Sequence, residues 1–483
     1  LTKVGAGILK LTSSSAYTGG TVVSAGKLLV DTAGTISTGN LTINDGATCE
    51  IRNPTAAMAD TADIHLSGTG ALILATGVTL TVDGLYVDGV KQAPGLYTAG
   101  SLAGNLSGGG SLNVLGGPID LTAPVTRQVV QRNGSGTGSI VISGSYSNNP
   151  DRLEARAVVM AGAGNNGTST AWTTIVPAPA GGTFSGTLTG VAAGGWYQIE
   201  VRSVIGGVPT TFSAIIQRVG VGDVYLTAGQ SNSANHGEPG TNTDDRVSAK
   251  DFSNGAWTMA ADPMPGASGT LGSVWTRLGT MLTSATNVPV GFVCVGVGGT
   301  PVSYWVPPST EGYLRLKAAA QAFPANGFRA VLWHQGESDS HYSTSAASYQ
   351  SMLASAIAQL RSDAGWTMPW YVAEASDLSN TTLSQEEPVI AGQRRVIFAD
   401  PLVFAGPQTD DFHLEGKLYD GVHFNNAGMA DHAQQWAQAL AGTAPLAPKN
   451  GNIESNTALA DGGIEGPDDV TATFQIAVGT LHL

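Results

Sequence analysis

Three short segments of this chain hold the residue types that acyl transfer needs. The first is Gly222-Asp223-Val224-Tyr225-Leu226-Thr227-Ala228-Gly229-Gln230-Ser231-Asn232, an apolar run that ends in a serine. The second is Trp333-His334-Gln335-Gly336-Glu337-Ser338-Asp339, and the third is Asp420-Gly421-Val422-His423. A serine hydroxyl is a poor nucleophile until a base takes its proton and a third group orients that base. Ser231 is the candidate nucleophile, and the small residues Ala228 and Gly229 let the backbone turn tightly before it. His423 is the candidate base. Asp420, three residues earlier, lets a single loop supply both the imidazole and the carboxylate that holds it.

The other histidines fit this role less well. His236 lies near Ser231 but has no adjacent carboxylate, and His334 follows a strand and reads as a buried residue. His341, His413 and His432 read as loop or helix-surface residues, while His65 and His482 fall outside this region. An oxyanion formed at the serine needs fixed donors. The backbone N–H groups of Ser231 and Gly299 are two candidates, Gly299 coming from the strand end Val297-Gly298-Gly299-Thr300; the side-chain amide of Gln335 is the third. Gln230, Asn232, Trp305 and Glu337 are the residues expected to touch substrate. Glu337 and Asp339 can also serve as structural hydrogen-bonding groups, or as an acid pair for glycoside cleavage. The pair reading leaves Ser231 and His423 without a role. Asp410, Asp411 and His413 match no metal-ligand spacing, so no metal and no cofactor are expected.

These groups need elements to place them. From residue 220 onward apolar strands alternate with helical patterns: a strand at 290–297, a helix at 314–323, a strand at 328–333, a helix at 345–361, a strand at 370–375 and a helix at 426–440. Such alternation predicts a parallel sheet covered on both faces, with ligands at the carboxyl ends of the strands. The region before it is different. Residues 1–117 hold short strands such as Thr21-Val22-Val23, Lys27-Leu28-Leu29-Val30 and Leu41-Thr42-Ile43 between Gly, Asn and Asp turns, the pattern of a stacked β-solenoid. Residues 118–219 alternate like an antiparallel β-sandwich, and Gly195 to Arg202 places Tyr197, Ile199 and Val201 on one face. Trp172, Trp196 and Tyr197 are either a sugar platform or core and inter-domain packing. The acidic, Gly-rich residues 447–483 read as a linker and tail. The expected order is therefore 1–117, 118–219, a catalytic domain at 220–446, and 447–483.

Composition narrows the function classes. The chain has 483 residues, 65 of them Gly, with only 12% charged residues and a net charge of −14. Nucleic acid and anionic membranes are poor partners for such a surface, because phosphate binding needs basic residues. Membrane insertion is not expected, for there is no apolar run of about 18 residues. Cys49 and Cys294 fall in different predicted domains and are not expected to pair. The chain begins inside what already reads as a repeat and so reads as a segment of a longer protein.

Two resemblances sharpen this reading. Leu1 to Leu11 followed by Tyr17 to Gly26 resembles the autotransporter-associated β-strand repeat, which implies a secreted or cell-surface β-helical passenger. The blocks Gly222-Asp223-Val224-Tyr225 through Asn232, Gly298-Gly299-Thr300 with Trp305, Trp333 to Asp339, and Asp420 to His423 resemble the sialate O-acetylesterase-like carbohydrate esterases of the SGNH hydrolase superfamily. That resemblance implies a flavodoxin-like α/β/α domain, Gln335 in place of the superfamily's oxyanion asparagine, and a Ser-His-Asp acyl-enzyme route. It also implies O-acetylated poly- or oligosaccharides as substrates. Two features depart from the family: Ser233 stands where many relatives carry Met, and the β-domain precedes the catalytic domain instead of interrupting it. The competing expectation is a glycan-binding adhesin or phage-type fibre that uses the hydrolase fold only for recognition. Oligomeric state is left open.

Overall fold

The computed structural model describes residues 1–442 except 18, 55–56, 61, 93–94, 103, 115–118, 147–149, 163, 211–213 and 241–243. The predicted linker and tail at 447–483, and the proposed boundary at 116–118, lie outside the described residues.

The amino-terminal region is a stack of parallel strands. Thr2–Lys3, Thr21–Val23, Leu41–Ile43, Ile64–Leu66 and Leu85–Val87 follow one another in one sheet. Ile8–Leu11, Lys27–Val30, Thr48–Ile51, Ala71–Leu74 and Leu106–Ser107 do the same in a second. Successive coils thus deliver one strand to each sheet. Inward residues come into register, as with Leu28, Cys49 and Leu72, and the core fills with ladders of like residues. Cys49 is one rung of such a ladder, a small buried apolar group whose thiol burial pushes up to about 12. Cys49 and Cys294 are both free thiols.

The middle region packs two sheets of antiparallel strands around one core. Ile119–Ala123, Thr137–Tyr146 and Thr183–Ala192 form the first. Thr173–Val176, Arg152–Val159 and Gly195–Ile205 form the second, together with the first half of a long strand, β1 (Ala214–Gly229). Tyr197, Ile199 and Val201 point into this core, while Trp196 packs into the core of the next region. Trp172 is flanked by two guanidinium groups, Arg202 at 4.0 Å and Arg156 at 4.7 Å from its ring centre. Packing, not a sugar platform, accounts for these three aromatics.

β1 crosses the expected boundary at 219/220 without a break. Its first half pairs with Gly195–Ile205, and its second half is the central strand of the α/β region. Asp223, at the crossing, is buried and gripped by Arg132 at 2.9 Å and Arg329 at 2.5 Å. Burial alone pushes this carboxyl up, but the two guanidinium groups outweigh it and hold the group below its usual range. Around β1 lie β2 (Val247–Lys250), β3 (Trp257–Met259), β4 (Val290–Cys294), β5 (Ala330–His334), β6 (Trp370–Glu374) and β7 (Val403–Gln408). The order across the sheet is β3-β2-β4-β1-β5-β6-β7, parallel except for β3. Helices α1 (Val274–Thr286) and α6 (Asn426–Leu440) pack together against one set of core residues, with Trp275 and Trp436 among the side chains they bury. On the other side lie α2 (Glu311–Gln321), α4 (Ala346–Ala364) and α5 (Leu383–Ala399), with the short α3 (Glu337–His341) after β5.

Local chemistry fixes these helices. Ser273 caps α1 by accepting from the Trp275 N–H, and Asn287 ends it in the left-handed conformation (φ 56°). Asn425 caps α6 by accepting from the Ala427 and Gly428 N–H groups. Its start is thereby fixed three residues after His423. Among the described residues no helix is long and apolar enough to cross a membrane.

Candidate active site

The candidate nucleophile sits at the carboxyl end of β1. Gly229 has φ +124°, and a Cβ there would lie 1.9 Å from the His334 carbonyl oxygen, so only glycine lets β1 meet β5 before the chain turns. Ser231, Asn232 and Ser233 then make a single 3-10 turn. Ser233 closes it: its N–H and its Oγ both bond the Gln230 carbonyl, at 2.9 and 2.8 Å. The departure from the family's Met therefore falls on a buried turn-closing residue. Ser231 lines a cleft of about 620 Å³, and its Oγ has no hydrogen-bond partner among the described residues.

The candidate base reaches the same cleft from the loop before α6. Asp420 Oδ2 lies 2.7 Å from His423 Nδ1, and its Oδ1 accepts the N–H groups of Val422 and His423 at 3.0 and 2.7 Å. Burial pushes the Asp420 carboxyl up, but the bonds from His423 and Val422 outweigh this and lower it. A carboxylate at Nδ1 requires a proton there, which leaves Nε2 as the basic nitrogen. His423 stacks with His236, ring centres 5.3 Å apart, and with Tyr419 at 6.0 Å. Tyr419 in turn donates to the His236 carbonyl at 2.7 Å.

The donor side departs from the sequence reading at one residue. Gly299 has φ +70° and open space around its Cβ position, and among the described residues nothing accepts from its N–H. The neighbouring Gly298 N–H is spent on Ser268 Oγ at 2.7 Å. Gln335 does not line the cleft. It is fully buried, its Nε2 donating to Asp339 Oδ2 (2.5 Å), Gln230 Oε1 (3.2 Å) and Thr300 O (3.3 Å), its Oε1 accepting from Tyr349 at 2.9 Å. An amide with every polar atom committed has none left for an oxyanion. Gln230 is the amide that faces the cleft. Two backbone N–H groups, Gly336 at 3.4 Å and Ser338 at 3.0 Å, converge on one of its side-chain atoms, which must therefore be the oxygen. Its Nε2 has no partner among the described residues.

Three of the expected substrate contacts are supports instead. Trp305 is fully buried, edge-on to Trp333 and bonded through Nε1 to Thr300 Oγ1 at 3.2 Å. Asn232 is a strut: its Nδ2 donates to Glu337 Oε1 at 2.8 Å and to the Val422 carbonyl at 3.1 Å, tying the serine turn to the histidine loop. Glu337 is buried under it and also meets His334 Nε2 at 3.2 Å. Burial pushes Glu337 up, while His334 and the Asn232 bond outweigh this and lower it. Sequence reasoning missed His341 and Tyr342, which line the cleft, and placed His236 outside the chemistry although it faces it. The order in sequence carries no signal for these three, since α3 and the loop after the serine turn bring them in. Asp410, weighed above as a metal ligand, instead accepts the Ser376 and Asp377 N–H groups at 2.7 and 3.1 Å, and burial pushes it up to about 7.

Comparison with known proteins finds the following similarities. Residues 221–442 match the family described as carbohydrate esterase, sialic acid-specific acetylesterase. Residues 1–30 match the passenger-associated transport repeat. The autotransporter adhesin BmaC of Brucella suis is 30% identical over 189 residues, which is 35% of this chain and 5% of that protein. The chain thus spans about 5% of the length of that curated relative. Among solved structures, a carbohydrate acetylesterase from Xanthomonas citri is similar with TM-score 0.46 and 20% identity, over 67% of this chain and 75% of that one. Another, from Sinorhizobium meliloti, has TM-score 0.30 and 13% identity over 46% and 99%. The chain therefore joins a β-rich region whose first 30 residues match an autotransporter-type repeat to an α/β region that matches a carbohydrate esterase family over residues 221–442.

Proposed function

We propose that this protein is a surface or secreted carbohydrate O-acetylesterase that works through Ser231, His423 and Asp420. The observation that carries this reading is the Asp420–His423 pair, 2.7 Å apart, in the same cleft as an unbonded serine hydroxyl at a strand end. His423 Nε2 takes the Ser231 proton as Oγ attacks the acetyl carbonyl, then returns it to the departing sugar oxygen. Water repeats the sequence on the acetyl-serine and releases acetate. The N–H groups of Ser231 and Gly299 and the Nε2 of Gln230 hold the oxyanion, while Gln335 holds Gln230. O-acetylated poly- or oligosaccharides are the substrate class. In this reading the stacked parallel strands at the amino terminus are turns of a β-solenoid, the middle region is a β-sandwich, and the sheet order β4-β1-β5-β6-β7 is of the flavodoxin kind.

The test is acetate release from acetylated xylan and from a small acetyl ester, with intact protein beside Ser231→Ala. Release that disappears in the variant supports the reading; no release from either substrate by folded protein refutes it. The match to an autotransporter adhesin favours a second reading, in which the α/β domain binds glycans without turnover. Tight glycan binding with no acetate release favours that one.

A further inference from the structure

We infer that the cleft takes a neutral acetylated sugar, seated on Tyr342, and not a sialate. The inference rests on the esterase reading above and adds the chemistry of the substrate. Among the described residues the cleft is lined by neutral groups and histidines: Gln230, Ser231, Ser268, Asn380 and their neighbours, with no Lys and no Arg. The undescribed stretches between residues 1 and 442 contain no Lys or Arg either. A sugar carboxylate is normally held by a guanidinium or ammonium, and one left unpaired in a cleft loses its hydration without compensation.

The nearest fixed charges have the wrong sign for such a ligand. Asp420 stands behind His423, Glu337 is buried beneath the serine turn, and Asp377, next to the cleft residue Leu378, pairs with His413 at 3.3 Å. The cations of the same domain are committed elsewhere. Arg277 donates to Asn426, Arg315 to the Gly266 carbonyl, and Lys417 pairs with Glu415 and Asp431. A ligand carboxylate would therefore meet like charge and no guanidinium or ammonium.

Apolar stacking is what the cleft does offer. Tyr342 is 63% exposed although it lines the cleft. Its backbone is fixed at the end of α3, where its N–H bonds the Ser338 and Ser340 carbonyls, so the ring is displayed from a firm base. The ring of His341 packs against it in a T-shaped contact at 5.2 Å, which braces it. An exposed aromatic face beside polar amides suits a sugar ring, which pairs C–H faces with hydroxyl edges. Leu378 and Asn380 flank it with one apolar and one amide group.

The experiment compares wild type, Tyr342→Ala and Ser231→Ala on three probes: p-nitrophenyl acetate, an acetylated xylo-oligosaccharide and 9-O-acetyl-N-acetylneuraminic acid. The wild type is expected to show kcat/KM at least about ten-fold higher on the neutral sugar than on the sialate. Tyr342→Ala is expected to raise KM for the neutral sugar by about ten-fold, a larger change than for p-nitrophenyl acetate. Equal or better turnover of the sialate overturns the inference, and so does a Tyr342→Ala variant with an unchanged KM for the neutral sugar. If folded wild type hydrolyses none of the probes, the esterase reading fails and this inference falls with it; turnover of p-nitrophenyl acetate, abolished in Ser231→Ala, keeps the two failures apart.

Discussion

Gln230→Glu tests which amide holds the oxyanion. The side-chain oxygen of Gln230 accepts from Gln335 Nε2 at 3.2 Å, Gly336 N at 3.4 Å and Ser338 N at 3.0 Å. A glutamate keeps an oxygen for all three donors, and a carboxylate strengthens such bonds. Only the cleft-facing N–H is lost. Removing one oxyanion donor costs about 2.7–4 kcal/mol, or about 10²- to 10³-fold in kcat. The variant is therefore expected to fold with wild-type Tm and to lose at least about 10² in kcat on p-nitrophenyl acetate. Gln335→Glu should behave differently. Its new carboxylate would face Asp339 Oδ2, now 2.5 Å from the Gln335 amide nitrogen, and would leave the Thr300 carbonyl without its side-chain donor and Gln230 with two of its three donors. Each buried polar group left unpaired costs about 1–3 kcal/mol, so the main effect is a lower Tm. Circular dichroism melts beside steady-state kinetics separate the cases. Wild-type kcat in Gln230→Glu, or a normal Tm with a 10²-fold kcat loss in Gln335→Glu, would refute the assignment.

Four further outcomes follow from the same geometry. Asp420→Ala should lower kcat with little change in KM; the loss should stay below the roughly 10⁴-fold of a fully buried triad acid, since the Asp420 side chain is 40% exposed. Asp223→Ala leaves Arg132 and Arg329 facing each other in a buried junction and should destabilise the protein by about 3–5 kcal/mol, measured by urea unfolding. Trp305→Ala should cost about 3–5 kcal/mol by the same measurement, with KM of the folded protein unchanged, because the ring is core and touches no substrate. Asp410 is raised from 3.8 to about 7, so its protonated form favours the fold: the stability it contributes is full below about pH 4 and is lost as pH rises toward 7. Asp410→Asn should thus gain Tm over wild type at pH 8 and little or none at pH 4, and an equal gain at both would contradict this account.

The sequence carried the strands and the chemistry better than the supports. The serine turn was legible because Ala228-Gly229 precedes it. The parallel strands β1, β4, β5 and β6 were legible as short apolar runs, while β2 (Val247–Lys250), short and half polar, and β7 (Val403–Gln408), interrupted by Gly406-Pro407, were not. Three helices were not legible: the one-turn α3, and the longer α1 and α5. α1 is rich in Thr and Ser, which mask its apolar face, and α5 holds Pro388 in its interior, which reads as a breaker although the capping box of Thr382 and Gln385 starts the helix well. The boundary between the middle and α/β regions was drawn at residue 220, inside a strand, because composition changes there while the backbone does not. Gln335 and Gln230 show a deeper limit. Both are glutamines beside the site, and nothing in their spacing says which faces the cleft. That is decided by Asp339, the Ser338 N–H and Tyr349, groups that converge only after α3 and α4 have packed on β5.

The same packing explains how three loops from distant parts of the chain keep one geometry. Ser231 and His423 share no hydrogen bond, so their relative position must come from the residues around them. Asn232 supplies one link, bonding the Val422 carbonyl on the histidine loop from the turn that carries the serine. The Tyr419 hydroxyl supplies another, reaching the His236 carbonyl on the loop after the serine turn. The second bond to Glu337 stiffens Asn232 itself, and Glu337 is anchored in the floor by His334. Exposed loops held by one bond each would drift; these are held from two sides, and the Asn232–Glu337 bond behind one of them is buried, where hydrogen bonds are strongest. Asp420 and His423 are themselves joined by two bonds of 2.7 Å, so the acid and the base keep one geometry as a unit.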